Sequence, residues 1–151
     1  RLTLLHLQDM EMLKKRFFVA WGLSVLVMMA LSFLWHGVIL NDFIHIPRPY
    51  GLFYSLAVLT YVLIGFVLTF VFTYLSMGIG IKMKGGFMGL SLGFFIYLIA
   101  FVLGVSFKGS GTEHVVVDFA WQMIEQGIGG GIVGFVYEMA RRRDQVFSGD
   151  H

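Results

Sequence analysis

Three stretches of this chain, residues 17–40, 52–75 and 86–107, contain no Asp, Glu, Lys or Arg. Each runs for 22 to 24 residues, enough as a helix at 1.5 Å per residue to cross roughly 30 Å of hydrocarbon. A fourth stretch, 115–137, is as long and mostly apolar but holds Asp118, Gln122, Glu125 and Gln126. The connections between these stretches are short. Pro47 and Pro49 in "NDFIHIPRPYG" forbid a continuous helix from the first to the second. The expected architecture is an all-α integral membrane bundle of four transmembrane helices. Residues 1–16 form an interfacial N-terminal segment, 17–139 the membrane domain, and 140–151 a basic tail.

Composition points the same way. Of the 151 residues, 58% are hydrophobic and 13% charged, with a mean hydropathy of +0.81. A soluble domain carries about 25% charged residues, and a chain this small has too much surface for its interior to hide such an apolar surplus. Lipid is therefore the expected partner, and the net charge of +2 gives no reason to expect nucleic acid. Cysteine is absent, which excludes disulfides, zinc–thiolate sites and iron–sulfur ligation.

Basic residues orient the chain. With four spans, Arg1, Lys14, Lys15, Arg16, Lys82, Lys84, Arg141, Arg142 and Arg143 share one side, and only Arg48 and Lys108 lie on the other. Cytoplasmic loops carry the excess of Lys and Arg, so both termini are expected in the cytoplasm, in a bacterial inner membrane.

The fourth stretch, "DFAWQMIEQGIGGG", reads as two patterns overlaid. At 100° per residue, His114, Asp118, Gln122, Glu125 and Gly129 share one stripe, with Gln126 beside it. An acidic residue at the centre of a membrane helix costs about 2.5–3.5 kcal/mol, so these groups are expected to be protonated, paired or hydrated. Intramembrane carboxylates mark function by default; the alternative is a buried hydrogen-bond network joining this helix to a neighbour. Gly127, Gly131 and Gly134 fall on the opposite stripe and suit close approach by another helix, as does Gly130 with Gly134. The third stretch opens on a matching ladder, Gly85-x3-Gly89-x3-Gly93, which makes it the expected neighbour.

A second polar group collects at the outer end: His36, Asn41, Asp42 and His45, with Glu113, His114 and Asp118 across the bundle. Imidazole with carboxylate suits zinc, iron or manganese. Interfacial loops need the same residues for solubility and capping, and no metal site is expected. His36 or His114 as a ligand to a metal, haem or chlorophyll is the alternative. Enzyme signatures are missing: there is no Gly-x-Ser-x-Gly, His-Glu-x-x-His, phosphate loop or dinucleotide fingerprint. No loop is long enough to house soluble catalytic machinery, so no enzyme is expected.

Three elements resemble a bacterial family of small four-helix membrane proteins of unknown function. They are Trp35-His36-Gly37 late in the first span, "GGFMGLSLGFF" opening the third, and "DFAWQMIEQGIGGGIVG" in the fourth, with Val38 where that family usually has Pro. The resemblance implies architecture and no activity. The expected function is that of a non-catalytic accessory subunit of a larger membrane complex, an energy-transducing one, respiratory or photosynthetic, being the natural home. The alternatives are a small oligomeric transporter or channel lined by the polar face of the fourth helix, and a metal- or pigment-binding membrane protein.

Overall fold

In the computed structural model the chain is described over residues 2–41, 49–75, 77–102 and 112–148, with side chains over 14–41, 49–75, 77–102 and 115–146. Four helices account for nearly all of it: α1 (Leu2–Ser32), α2 (Tyr50–Tyr74), α3 (Ile81–Val102) and α4 (Thr112–Ser148). Helix α1 runs on into a π-helical stretch, Phe33–Ile39. No strand occurs among the described residues.

Three segments are long and apolar enough to cross a membrane: Lys14–Ile39, Tyr50–Tyr74 and Ile81–Val102. The first two match the charge-free windows closely. The third begins earlier than its window because the helix takes in Lys82 and Lys84. Lys84 reaches back to the end of α2, where its Nζ donates to the Phe72 carbonyl at 2.6 Å and lies 4.4 Å from the Phe72 ring centre. A carbonyl in the last turn of a helix has no intrahelical donor, and a cation there satisfies it. Helix α4 does not meet the same apolar criterion, and at 37 residues it is roughly 55 Å long. It continues through the basic residues to Ser148, so the tail expected at 140–151 is helical over most of its length.

The helix ends follow local chemistry. The π-helical stretch closes with the Leu40 amide donating to the Trp35 carbonyl at 2.8 Å, and Asn41 takes a left-handed φ of 55°, a conformation that Asn tolerates better than most residues. Helix α2 starts directly after Pro49, whose extended backbone cannot be drawn into the helix.

Helix α4 is the element on which the others assemble, and its contact with α3 is backbone on backbone. Gly85, Gly89 and Gly93 are all buried. A methyl group at Gly85 would fall on the Gly130 carbonyl, and one at Gly89 on the Gln126 carbonyl. At Gly93 it would stand 2.8 Å from the Gln122 carbonyl oxygen, and at Gly134 2.8 Å from that of Ile81. Every fourth residue of one helix thus meets every fourth of the other, antiparallel and in step. Gly127 has a different neighbour, the Leu90 side chain at 3.1 Å from a built Cβ, and Gly131 has nothing within 4 Å.

On another face α4 meets α1, where the Ser24 hydroxyl donates to the Gly129 carbonyl at 3.0 Å. Helix α1 in turn holds α2 through Trp21, whose indole donates to the Val62 carbonyl at 3.0 Å, and through Val25 and Met28 packed over Gly65. Toward the basic end these contacts close into a core of Ala20, Leu68, Phe72, Met88 and Val133. Beyond it Arg16 clamps Asp144 with both carboxylate oxygens, at 2.6 and 2.8 Å.

Replacing Gly89 by Ala should destabilise the detergent-solubilised chain by about 2–4 kcal/mol, since neither helix backbone has room to yield. Gly131→Ala should change stability by less than about 0.5 kcal/mol. Thermal unfolding followed by circular dichroism checks both, and equal effects would contradict this packing.

Candidate functional site

Glu125 and Gln126 lie midway along the apolar part of α4, and both are almost wholly enclosed, at 1% and 0% exposure. They are enclosed by this chain's own helices. The Gln126 backbone sits under Gly89 of α3, and its side chain turns to Glu125, Nε2 donating to Oε1 at 3.4 Å. Opposite stands Tyr61 of α2, which makes side-chain hydrogen bonds to Glu125 and to Ser32 of α1. Trp121, one turn before Glu125, completes the ring of polar neighbours. Helices α1, α2 and α4 therefore converge on one carboxyl group, with α3 against the backbone behind it.

Toward the end away from the basic residues, Glu125 is roofed by two indoles. Trp35 stacks on Trp121 with ring centres 4.2 Å apart and planes 8° from parallel. The π-helical turn holds Trp35, and such turns, which insert a residue into the helical repeat, recur at functional sites. The Trp35 indole N–H and Oε1 of Gln126 are buried without a hydrogen-bond partner, while the Trp121 side chain hydrogen-bonds Glu125. Buried donors and acceptors without partners are uncommon, because each costs about 1–3 kcal/mol. One donor on the ring stacked against Trp121 and one acceptor beside Glu125 are polar capacity that the surrounding side chains leave unused.

Further outward on α4, Gln122 and Asp118 are half-buried, and Asp118 and His36 each have partners among the neighbouring groups. Toward the basic end lie Met28 and the Ser24–Gly129 contact, followed by the apolar core. The site is thus polar on one side and tightly apolar on the other.

The polar residues singled out in the sequence divide accordingly. Glu125 and Gln126 meet at the chamber, with Asp118 and Gln122 on the outward side of it. In the outer cluster, Asp42 and His45 lie outside the described residues, as do the side chains of Glu113 and His114. Among the described residues no group of three or more His, Asp or Glu is placed to hold a metal ion. Sequence reasoning missed Tyr61, Ser32 and Ser24, and the pairing of Trp35 with Trp121. A faint signal existed, since Ser24 and Ser32 stand at helical spacing in an otherwise apolar span.

The comparisons add no relative. No family model, curated protein or solved structure matches this chain.

Trp121→Ala should cost about 3–5 kcal/mol of stability, because it empties the roof and strands Trp35. Trp121→Phe, which keeps a stacked ring, should cost under about 2 kcal/mol. Chemical denaturation in detergent measures both, and equal losses would contradict the stacked arrangement.

Proposed function

We propose that this chain is a four-span membrane protein with both termini on the cytoplasmic side of a bacterial inner membrane, and that it works as a small transporter binding a proton or a small cationic solute at Glu125. The observation carrying this reading is the enclosed Glu125, with Gln126 Oε1 beside it and the Trp35 indole N–H above it left unpartnered. A carboxyl group held away from lipid by its own chain is available to a guest. One that meets a partner subunit is occupied by that partner. Asp118 and Gln122 supply a polar approach from the outer side, and the core of Ala20, Leu68, Phe72, Met88 and Val133 closes the inner side. A carboxyl group closed off from both sides, as Glu125 is here, is what alternating access requires in its occluded state. The excess of Lys and Arg at one end supports the orientation.

A second reading, the non-catalytic subunit of a larger membrane complex, draws on a different region. The outer half of α2, residues 50–60, is exposed around nearly its whole circumference, Tyr50, Leu52, Phe53, Tyr54 and Leu56 included. So much apolar surface on a helix free of neighbours suits either lipid or another subunit. Neither reading assigns a reaction, and neither requires a metal or pigment.

Proteoliposomes separate the two. The reconstituted chain should dissipate an imposed proton or monovalent-cation gradient well above the rate of empty vesicles. Glu125→Gln should reduce that flux at least tenfold while leaving helix content and size-exclusion profile unchanged. A wild type no faster than empty vesicles, with Glu125→Gln altering only the membrane proteins that co-purify, would move the weight to the subunit reading.

A further inference from the structure

The basic end of the α1–α4 contact carries a second feature, far from Glu125. An open groove of about 600 Å³ runs between the two helices. Its α1 wall is the stripe Val19, Leu23 and Val27, and Phe135 stands opposite on α4. Val19, Leu23 and Phe135 are 52%, 44% and 48% exposed, so the groove is apolar and uncovered. At its mouth stand Lys15, Arg16 and Arg143.

Charge and length together choose the occupant. Arg16 is tied to Asp144 across the mouth, and Glu138 is taken up by Arg142 at 3.0 Å and Arg141 at 3.2 Å. Among the described residues Lys15 and Arg143 have no acidic partner, so two cations on different helices face the mouth. From Arg16 to Val27 the α1 wall extends roughly 16 Å at 1.5 Å per residue, close to the ~15 Å hydrocarbon depth of one leaflet. An anionic head at Lys15 and Arg143 with an acyl chain along Val19, Leu23 and Val27 matches both ends of the groove. A zwitterionic lipid would match the tail alone, and an apolar partner helix would leave the two cations without counter-charge.

We propose that this groove is a binding site for one anionic phospholipid of the leaflet that faces the basic end. It holds the phosphate between Lys15 and Arg143 and one acyl chain between α1 and α4. The Arg16–Asp144 pair fixes the spacing of the two helices at the mouth and so the distance between the two cations. Bound there, the lipid would brace the α1–α4 contact on its lipid-facing side.

Native mass spectrometry of the full chain in detergent, titrated with phosphatidylglycerol or phosphatidylcholine of identical acyl chains, tests the proposal. The wild type should retain one phosphatidylglycerol at a concentration at least tenfold below that needed for phosphatidylcholine, and added salt should shrink the difference. The double variant Lys15→Gln/Arg143→Gln should lose the preference and keep weak binding of both lipids. Leu23→Trp, which fills the groove, should weaken both. Circular dichroism establishes that each variant folds. Equal retention of the two lipids by the wild type, or an unchanged preference in the double variant, overturns the proposal. So does displacement of phosphatidylglycerol by millimolar inorganic phosphate, which would make the groove irrelevant, or a wild-type dimer abolished by Leu23→Trp, which would make it the seat of a second copy.

Discussion

The contact that the rest of this structure depends on is the direct apposition of the α3 and α4 backbones. Lipid is as apolar as any side chain, so membrane helices gain little from burying leucine against leucine; close van der Waals contact and buried hydrogen bonds hold them instead. Gly85, Gly89 and Gly93 remove every side chain from one face of α3, and Gly130 and Gly134 do the same for part of α4. The remaining partners on α4 are the backbones of Gln122 and Gln126. The Gln126 side chain turns instead to Glu125, which Tyr61 of α2 meets from across the bundle. The glycine seam and the polar chamber are two sides of one helix.

That division explains an asymmetry along the bundle. On the basic side of Glu125 the helices are drawn together by the Ser24–Gly129 bond, by Ala20, Leu68 and Val133 at 1% exposure or less, and by Arg16 with Asp144. On the other side α2 leaves its neighbours, and the polar groups Gln122 and Asp118 are half-buried. The stack of Trp35 on Trp121 stands at the boundary. Glu125 is thus enclosed at the boundary between a polar side and an apolar side, and the transport reading rests on this arrangement.

Much of the helical layout was legible in the residues. Charge-free windows located the first two membrane helices to within a few positions, because a charged side chain in hydrocarbon is costly enough to leave a clear gap. The α3 window started late at Gly86 because Lys84, charged and inside the helix, is satisfied by the Phe72 carbonyl, a partner no window scan sees. The glycine ladder named the right helix pair, but the α4 register was only partly readable. A helical wheel places Gly127, Gly131 and Gly134 together, whereas Gly131 faces open space and Gly130 carries the contact with Gly85. The wheel gives angles and does not say where the neighbour lies. The chamber was half legible: its carboxyl group stands out in any membrane segment, but Tyr61 comes from another helix and Trp35 is set by a π-helical turn, for which the sequence has no simple signature.

The chain has no cysteine, so single cysteines report accessibility without interference. Right-side-out and inverted vesicles carrying Asp118→Cys, Gln122→Cys or Val133→Cys should be treated with a membrane-impermeant thiol reagent. The account predicts labelling at 118 and 122 from the face opposite the basic termini, and no labelling at 133 from either face. Ready labelling at 133, or none at 118 and 122 from that face, would contradict a polar approach toward Glu125 from one side only.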